Sequence, residues 1–191
     1  MIPTKKTLLR SERLHARRAL SADHRESASA RIASTLIHSH EFAASRSIAC
    51  YLPCDDEVDP RRVIARAWCA KKRVFAPVID GRGGMIFRQI SPDTRLERNY
   101  FGLWEPVAGA MIAAPKIDLV LTPLVAFDKS RNRIGMGGGY FDRCFAFLRH
   151  RRNWLHPKLI GLAFDCQRVE KIQTNPWDIS LYRIVTESNV T

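Results

Sequence analysis

The segment that decides the fold is Ser47-Ile-Ala-Cys-Tyr-Leu52 followed, after a helical stretch, by Arg73-Val-Phe-Ala-Pro-Val78. Both runs are short, apolar and bounded by turn signals, which is typical of strands in a covered sheet. Between them, Asp59 as the N-cap and Pro60 at the first helical position predict a helix. Its buried face would carry Val63, Ile64, Ala67 and Trp68. A strand, a helix and a second strand within about thirty residues predict a crossover with parallel pairing.

Four further apolar runs continue this pattern, at residues 85–90, 117–127, 159–164 and 182–187. They predict a single α/β domain over residues 1–191, with a central, mostly parallel sheet flanked by helices on both faces. A chain of 191 residues, 46% of them hydrophobic, can bury one sizeable core. Residues 81–115 contain many turn residues and are the least regular part, which indicates a flap or an insertion over the sheet.

The first forty residues are predicted to be helical. Ser21 can cap a helix whose inner face has apolar residues at helical spacing, namely Ala28, Ile32, Ala33, Leu36 and Ile37. The preceding segment, residues 5–20, is more basic than amphipathic. It therefore predicts a basic N-terminal helix with a narrow apolar face.

The net charge of +12 limits the classes of partner. Charge of this size attracts anions and raises their encounter rate. Three explanations fit it: a basic surface that maintains solubility, a nucleic-acid partner, or a nucleotide triphosphate together with a substrate that bears carboxylates. Composition does not separate these three.

The sequence indicates neither a secreted nor a membrane protein. No stretch approaches about 18 consecutive apolar residues, and the N-terminal residues become charged without an apolar segment before them. The five cysteines are odd in number, scattered and without CxxC pairs, at Cys50, Cys54, Cys69, Cys144 and Cys166. We therefore expect a cytoplasmic chain with reduced thiols and no membrane partner.

The stretch Arg133-Ile-Gly-Met-Gly-Gly-Gly-Tyr-Phe-Asp142 is the most informative for function, because four of the ten glycines lie within five positions. Successive glycines allow backbone amides to approach a bound group and to form an anion nest. The apolar spacing of residues 140–148 predicts a helix directly after them, whose N-terminus would add to the attraction for a phosphate. Arg133 supplies a cation, and Asp142 supplies the oxygen ligand that Mg²⁺ prefers.

Two explanations of this stretch stay open at this point, a phosphate site and a plain structural turn. It is not a Walker A loop, because no Gly-Lys-Ser/Thr follows. It is not a dinucleotide fingerprint either, because Tyr140 stands where the third glycine would be needed. The flanking Arg133 and Asp142 favour the phosphate site.

Together these motifs resemble the 5-formyltetrahydrofolate cyclo-ligase family. That family has a glycine-rich string ending in Tyr-Tyr-Asp after a strand end, and here Pro123-Leu-Val-Ala-Phe-Asp128 precedes Asn132-Arg-Ile-Gly-Met-Gly-Gly-Gly-Tyr-Phe-Asp-Arg143. Further blocks agree in family order and span nearly the whole chain: Tyr51-Leu-Pro-Cys-Asp-Asp-Glu-Val-Asp59, Lys72-Arg-Val-Phe-Ala-Pro-Val78, Asn99-Tyr-Phe-Gly-Leu-Trp-Glu-Pro106, Asp165-Cys-Gln-Arg-Val-Glu170, Pro176-Trp-Asp178 and Ile184-Val-Thr-Glu187.

The resemblance implies an ATP- and Mg²⁺-dependent ligase that closes 5-formyltetrahydrofolate to 5,10-methenyltetrahydrofolate and releases ADP and phosphate. The formyl oxygen would attack the γ-phosphorus of ATP, and nitrogen 10 would then attack the activated carbon and displace phosphate. This chemistry needs no protein nucleophile, so the cysteines are assigned none. A monomer is expected, with a mono- or polyglutamylated folate as its small-molecule substrate.

The resemblance also implies a nucleotide site. The element Lys6-Thr-Leu-Leu-Arg10 would bring Lys6 and Arg10 to ATP, with Lys5 as the alternative by one register step. A spacing of four places two cations on one helical face, although either residue alone could be an ordinary solvated charge. Lys6 and Arg133 would act in catalysis by offsetting phosphoryl charge. The loop around the nucleotide would consist of Arg133, Ile134, Gly135, Met136, Gly137, Gly138, Gly139, Tyr140 and Phe141.

The metal and folate sites follow from the same resemblance. Asp142 and Asp178 would hold Mg²⁺, although Asp178 taken alone could simply cap a turn. The folate would contact Leu52, Glu57, Phe101 and Tyr140. Glu57 is the carboxylate expected at the pterin, whereas Asp56 and Asp59 are expected to serve turn and cap roles.

Two positions depart from the family pattern. Many relatives have a second Tyr where Phe141 stands, which removes one hydroxyl. Tyr182 occupies a position where Asp, Pro or Val is more usual.

Two rival functions remain. The net charge and the arginines of the basic helix favour a nucleic-acid-binding module, with Arg10, Arg13, Arg17 and Arg18 as the contacts. However, these arginines lack the interleaved aromatic residues of a stacking platform, and the glycine stretch would be unexplained, so a nucleic-acid partner is not expected. The second rival is a different ATP-using acyl or phosphoryl transferase on the same scaffold.

Overall fold

The computed structural model describes residues 4–54, 56–81, 83–150 and 156–191. Within these ranges the chain forms five α-helices: α1 (Lys5–Arg18), α2 (Ala22–Ile37), α3 (His40–Ala44), α4 (Arg61–Cys69) and α5 (Tyr140–Cys144). The strands are β1 (Ser47–Ala49), β2 (Arg73–Ile79), β3 (Met85–Ile90), β4 (Leu96–Arg98), β5 (Trp104–Pro106), β6 (Met111–Ile112), β7 (Leu119–Pro123), β8 (Ala126–Phe127), β9 (Arg133–Ile134), β10 (Lys158–Leu162) and β11 (Arg183–Val185). Short 3₁₀ helices occupy Ala114–Lys116, Ala146–His150 and Asp165–Gln167.

The main sheet has the strand order β11-β10-β7-β1-β2-β3-β6. The five strands from β11 to β2 pair in parallel, whereas β3 and β6 join antiparallel at one edge. The predicted crossover is confirmed: β1 and β2 pair in parallel, with Ser47 opposite Arg73, and α4 connects them. The predicted central, mostly parallel sheet is therefore confirmed.

Each face of the sheet carries its own apolar cluster, because side chains alternate along a strand. On one face, Ile48 and Val74 pack with residues of α2 and α4. On the other face, Ala49 and Phe75 pack with α5 and the 3₁₀ helix that follows it. Helices on both faces are thus confirmed, and the loops at the strand ends are left to form sites.

The helix starts were predicted well, with one shift. Ser21 caps α2 as predicted, since its hydroxyl accepts from the His24 N–H at 3.2 Å. At α4 the prediction was wrong by one residue: Pro60 occupies the cap position, and α4 begins at Arg61. Asp59, the residue before the cap, accepts the Arg61 N–H with its side chain at 2.9 Å.

The predicted helix over residues 140–148 is shorter than expected. The α-helix ends at Cys144, and a tighter 3₁₀ helix follows from Ala146. The change of helix type coincides with Phe145, which is fully buried against the rings of Phe87, Phe141 and Phe147.

Two apolar runs are divided rather than continuous strands. The run 47–52 leaves the sheet after Ala49, and the run 117–127 is split into β7 and β8. Strand β8 pairs with β9 in a separate ribbon. The split falls at Leu124, whose carbonyl accepts side-chain N–H groups of Arg17 (3.4 Å) and Gln167 (2.6 Å) instead of a strand partner.

Residues 81–115 are only partly the flap that the sequence indicates. Strands β3 and β6 belong to the main sheet, whereas β4 and β5 form a separate hairpin. The side chain of Glu105 anchors this hairpin, since it accepts from the Ile79 N–H at 2.8 Å and from Asn99 Nδ2 at 2.7 Å. Among the helices that the structure describes, none has the length and apolar character required to cross a membrane.

Candidate active site

The loops at the carboxyl ends of three parallel strands converge on helix α1. Arg17 of α1 contacts Asp56 in the loop after β1 and the carbonyl of Leu124 after β7. Arg13 donates to the carbonyl of Cys166, after β10, at 3.1 Å. Ligands of open parallel sheets bind outside this edge, so the edge beside α1 is the candidate site.

The glycine loop, residues 135–139, connects β9 to α5 at this edge. Gly137 and Gly139 have φ values of 105° and 65°, in the left-handed region that favours glycine. Gly135 is not in that region, and a side chain there would meet open space, so it leaves the backbone accessible. Because α5 has only five residues, its dipole contributes less to anion attraction than the predicted longer helix would.

Two cations of α1 reach the predicted site. Lys6 Nζ lies 2.6 Å from Asp178 Oδ2, and Arg10 Nε donates to the carbonyl of Gly135 at 2.8 Å. Lys5 is exposed, so the structure places Lys6 and not Lys5 on the site face. Helix α1 itself begins after Thr4, whose hydroxyl accepts the Thr7 N–H at 3.2 Å.

Arg133 connects the glycine loop to the segment around Asp178. Its side chain is 5% exposed, its Nη2 lies 2.9 Å from Asp142 Oδ1, and its Nη1 donates to the carbonyl of Ile179. Burial lowers the pKa of Arg133, and the neighbouring Asp142 and Asp178 act in the opposite direction. Arg133 therefore remains a cation fixed by its contact with Asp142 and favoured by the charge of Asp178.

The two predicted metal ligands are brought together although 35 residues separate them in the sequence, because Asp142 bonds the backbone of Ile179, the residue after Asp178. Asp142 Oδ1 accepts from Arg133 and from the Ile179 N–H at 3.0 Å, and Asp178 Oδ2 accepts from Lys6 and from the Asn175 N–H at 2.8 Å. Each carboxylate uses one oxygen for these bonds. The chemistry of this donor set fits Mg²⁺, which takes one or two carboxylates and keeps several waters or phosphate oxygens.

Over the residues with described placement, no three His, Cys, Asp or Glu side chains are placed to share a metal. The Asp142–Asp178 pair is thus a candidate for binding a metal whose remaining ligands are phosphate oxygens and waters, and not for a metal site made entirely of protein ligands.

Leu52 and Glu57 line a large cavity of about 990 Å³. Its other walls come from α2, from the start of α4 and from the β4–β5 hairpin, which contributes Leu96 and Trp104. Glu57 Oε2 accepts the Cys54 N–H at 3.1 Å. Burial raises the pKa of Glu57, and its N–H bond from Cys54 and the charge of Arg17 counteract this only in part.

Phe101 and Tyr140 lie together, but not in the lining of the large cavity. Their ring centroids are 6.1 Å apart in an edge-to-face arrangement. Phe101 is at the tip of the β4–β5 hairpin, whose base lines the large cavity, and Tyr140 follows the glycine loop. The hairpin therefore links the two groups of predicted folate residues.

Three loop residues differ in what they offer a ligand. Ile134 is buried in a small cluster with Ala126 and Ile172, and Phe141 packs into the core against Phe145. Ile134 can therefore line a site only with its backbone, whereas Phe141 is partly exposed. Met136 is 65% exposed beside the glycines.

The two departures from the family pattern lie in ordinary packing environments. Phe141 contacts other rings, where an additional hydroxyl would have to be accommodated in an apolar setting. Tyr182 has its ring beside Lys158 Nζ, at 4.6 Å from the centroid, and its hydroxyl 3.3 Å from Glu41 Oε1.

Arg17 is a functional candidate that sequence reasoning named only among the arginines of the nucleic-acid alternative. Its side chain is 4% exposed and forms two parallel hydrogen bonds to Asp56, at 3.0 and 3.2 Å. Its Nη1 also lies 3.8 Å from Glu57 Oε1. The available signal was its spacing of eleven residues from Lys6, which corresponds to three helical turns and so to the same face of α1.

The contacts of the arginines in α1 also argue against the nucleic-acid alternative. Arg10, Arg13 and Arg17 are bonded to loops of the same chain, so they are not available as a separate basic face. Arg18 is exposed, and its Nε lies 3.5 Å from Asp56. Asp56, for which a turn role was expected, also serves as an anchor for arginines.

Known proteins resemble this chain in both sequence and fold. A sequence model of the 5-formyltetrahydrofolate cyclo-ligase family matches residues 2–187. The chain is 34% identical to the 5-formyltetrahydrofolate cyclo-ligase of Haemophilus influenzae over 187 residues, covering 95% of this chain and 97% of that protein. It is also 34% identical to that of Escherichia coli strain K12 over 180 residues, with coverages of 91% and 96%.

Solved structures of similar fold carry a related name. The NMR structure of Aquifex aeolicus 5,10-methenyltetrahydrofolate synthetase matches with a TM-score of 0.83 and 31% identity, over 98% of this chain and 92% of that one. A 5,10-methenyltetrahydrofolate synthetase from Mycoplasma pneumoniae matches with a TM-score of 0.76 and 25% identity, with coverages of 96% and 99%. The predicted fold and ligase class are thereby confirmed, and the chain belongs to the 5-formyltetrahydrofolate cyclo-ligase family.

Proposed function

We propose that this chain catalyses the ATP-dependent closure of 5-formyltetrahydrofolate to 5,10-methenyltetrahydrofolate, with Mg²⁺ as the metal and with ADP and phosphate as products. The observation that carries the proposal is the arrangement around Arg133. This buried cation is bonded to Asp142, and Arg10 is bonded to the glycine loop. The Lys6–Asp178 pair adjoins Ile179, whose backbone is bonded to both Arg133 and Asp142. Three cations and two carboxylates at one loop form a site for a metal-bound triphosphate.

In this proposal the protein positions the reactants and offsets charge. Lys6, Arg10 and Arg133 would bind the polyphosphate, and the amides of the glycine loop would surround it. Asp142 and Asp178 would hold Mg²⁺, which when bound offsets phosphate charge. A fixed charge aimed at the transferred phosphoryl group needs no rearrangement during the reaction, and this favours the transition state.

The large cavity would receive the folate. Leu52 supplies an apolar wall, and Glu57 supplies a carboxylate for the polar edge of the pterin. Phe101, which is 57% exposed, and the partly exposed Tyr140 offer aromatic edges next to the glycine loop. With the formyl-bearing edge of the pterin toward these rings and the glutamate tail in the cavity, the formyl group would lie on the side of the nucleotide.

No cysteine is proposed as a nucleophile. Burial raises the pKa of the Cys144 thiol to about 11, and it also raises the pKa of Cys50 and Cys166. These thiols stay protonated at neutral pH and are poor nucleophiles. This agrees with a reaction in which the substrate nitrogen closes the ring.

A polyglutamylated substrate stays a prediction. Arginines at the large cavity could receive extra carboxylates, namely Arg25, Arg61 and Arg62. Two of them already face acids, because Arg61 pairs with Asp59 at 2.6 Å and Arg62 lies 3.9 Å from Glu26. Arg25 donates to the carbonyl of Leu20, so Arg62, whose side chain is 64% exposed, is the most available of the three. Equal KM values for mono- and pentaglutamate forms would contradict the prediction.

The proposal is tested by following methenyl absorbance with purified protein, 5-formyltetrahydrofolate, ATP and Mg²⁺, and by omitting each component in turn. All three additions are expected to be required. The variants Arg133→Ala and Asp142→Ala are expected to lower turnover by about two to three orders of magnitude, the effect of losing one transition-state contact. Asp93→Ala, an exposed carboxylate outside the site, serves as the control. Rates of both site variants within tenfold of wild type would refute the assignment.

A further inference from the structure

Arg17 occupies a position that simple helix packing does not explain. It is a charged side chain, 4% exposed, in a helix whose other described residues are all at least partly exposed. Burial of a cation is costly unless it is paired and hydrogen-bonded. Here Asp56 accepts two bonds from the guanidinium and the carbonyl of Leu124 accepts a third, so the charge is compensated.

Arg17 also shares a helix face with the proposed nucleotide contacts. Lys6, Arg10, Arg13 and Arg17 are spaced by four, three and four residues, which places them along one side of α1. Each contacts a different segment: Asp178, Gly135, Cys166 and Asp56, respectively. From Lys6 to Arg17 the helix rises by about 16 Å. One rigid element therefore connects the glycine loop with the loop that carries Glu57.

The contact with Asp56 determines where Glu57 lies. The two acids are adjacent, so two parallel bonds from a planar guanidinium to Asp56 restrict the backbone on which Glu57 is placed. The same guanidinium lies 3.8 Å from Glu57 Oε1 and attracts it from one side, while the Cys54 N–H holds Oε2. Glu57 is thereby held in the lining of the large cavity.

We propose that Arg17 is a positioning residue for the folate, which acts by holding the Asp56–Glu57 turn so that Glu57 faces the large cavity. This inference rests on the proposed function, because it takes the large cavity as the folate site. Arg17 itself does not touch the substrate in this proposal. Its loss therefore weakens folate binding and leaves the nucleotide site, at the other end of α1, intact.

The test compares steady-state constants of Arg17→Gln, Arg17→Lys and wild type. For Arg17→Gln the KM for 5-formyltetrahydrofolate is expected to rise about tenfold or more, while kcat changes by less than about threefold and the KM for ATP by less than about twofold. Lysine keeps the charge but cannot form the two parallel bonds, so Arg17→Lys is expected to lie between wild type and Arg17→Gln. Arg18→Gln removes an exposed neighbour of Asp56 and is expected to match wild type.

A double-mutant cycle separates positioning from general loss of stability. Asp56→Asn is expected to raise the KM for the folate in the same direction, and Arg17→Gln/Asp56→Asn is expected to be no worse than Arg17→Gln alone. Asp56 is partly exposed, so Asp56→Asn still tests the proposal should Arg17→Gln fail to fold. The proposal would be overturned if kcat fell, both KM values rose and Tm fell together, since that pattern indicates general loss of stability. An unchanged KM for the folate would also overturn it.

Calorimetric binding of 5-formyltetrahydrofolate distinguishes failure of this inference from failure of the proposed function. Absence of turnover by wild type would refute the proposed function, whereas the Kd of Arg17→Gln would still report on Arg17. A Kd raised about tenfold supports the positioning role. A Kd equal to that of wild type, or no binding by wild type at all, overturns it.

Discussion

Burial acts to raise the pKa of both Glu57 and Glu41, but the net direction of the pKa shift differs between these two carboxylates. Glu57 is nearly enclosed, and burial raises its pKa because its nearby donors are few. For Glu41, burial also acts to raise the pKa, but a backbone N–H together with Arg183, Lys158 and Tyr182 outweighs it, and the net direction is downward. The number of donors that face a carboxylate thus decides its ionisation as much as its exposure does.

Glu57→Gln is expected to change the pH dependence of stability. Because the pKa of Glu57 is higher in the folded chain than its unfolded value of about 4.3, its contribution to stability is full below that value and is lost as the pH rises. Glutamine does not titrate. The Tm of the variant minus that of wild type should therefore increase from about pH 4 to about pH 7.

The pH trend, and not the absolute difference, is the observable, because the variant also loses the Arg17 contact. Thermal unfolding followed by circular dichroism at several pH values provides it. A Tm difference that stays constant or decreases with pH would show that Glu57 is not the titrating group.

At the scale of elements, the shape of the glycine loop depends on the left-handed backbone conformation of Gly139 more than on the number of glycines. Gly139 caps α5 with φ 65°, and a Cβ there would approach Arg143 Nη1 to 2.9 Å. Arg143 in turn donates to the carbonyl of Gly138 at 2.9 Å and lies over the ring of Tyr140. Glycine is therefore favoured at the end of the loop by its positive φ, more than by the space beside the Arg143 guanidinium, which can move.

Gly139→Ala is expected to raise the KM for ATP and to lower stability by about 1–2 kcal/mol, the cost of a left-handed residue with a side chain. Initial rates at varied ATP and urea unfolding measure the two effects. Gly81→Ala is the matched control, because a Cβ there meets open space and its φ is not positive. Wild-type values for both quantities in Gly139→Ala would exclude this role for the loop backbone.

At the scale of the whole molecule, the fold concentrates cations at one edge of the sheet. Of the net charge of +12, Lys6, Arg10 and Arg133 converge on the glycine loop. An edge with an excess of positive charge raises the local concentration of an anionic substrate, and salt screens this effect.

We expect the KM for ATP to rise with ionic strength between about 0.05 and 0.3 M salt, a range over which the Debye length falls from roughly 14 to 6 Å. The value of kcat should change little, since the fixed contacts in the bound state are screened less. Initial rates at constant free Mg²⁺ measure both constants. A KM that does not vary with salt would contradict electrostatic attraction by this edge.

The two apolar clusters share the same strands, so we expect the chain to unfold as one domain. Ile48 and Ala49 are consecutive residues of β1 that face opposite clusters. Loss of either cluster therefore exposes the sheet that supports the other. Calorimetry should show a single transition with equal calorimetric and van't Hoff enthalpies, and two resolved transitions would show separate domains.

Much of the local structure could be predicted because its cause is local. The start of α2 follows from Ser21 and the spacing of its apolar residues, and the β1–α4–β2 crossover follows from two apolar runs around a helix signal. The glycine stretch likewise marked the loop from its composition alone. These features depend on propensity, capping and periodicity, which act over a few residues.

The sequence by itself thus determined the elements, the fold class and the motif of small residues that points to phosphate. Only the tertiary structure decided that β3 and β6 join antiparallel, that Asp178 pairs with Lys6, and that Arg17 is buried against Asp56. The physical reason is the range of the interactions. Strand order and ion pairing depend on which distant segments pack together and exclude water, and no local pattern in the chain records that choice.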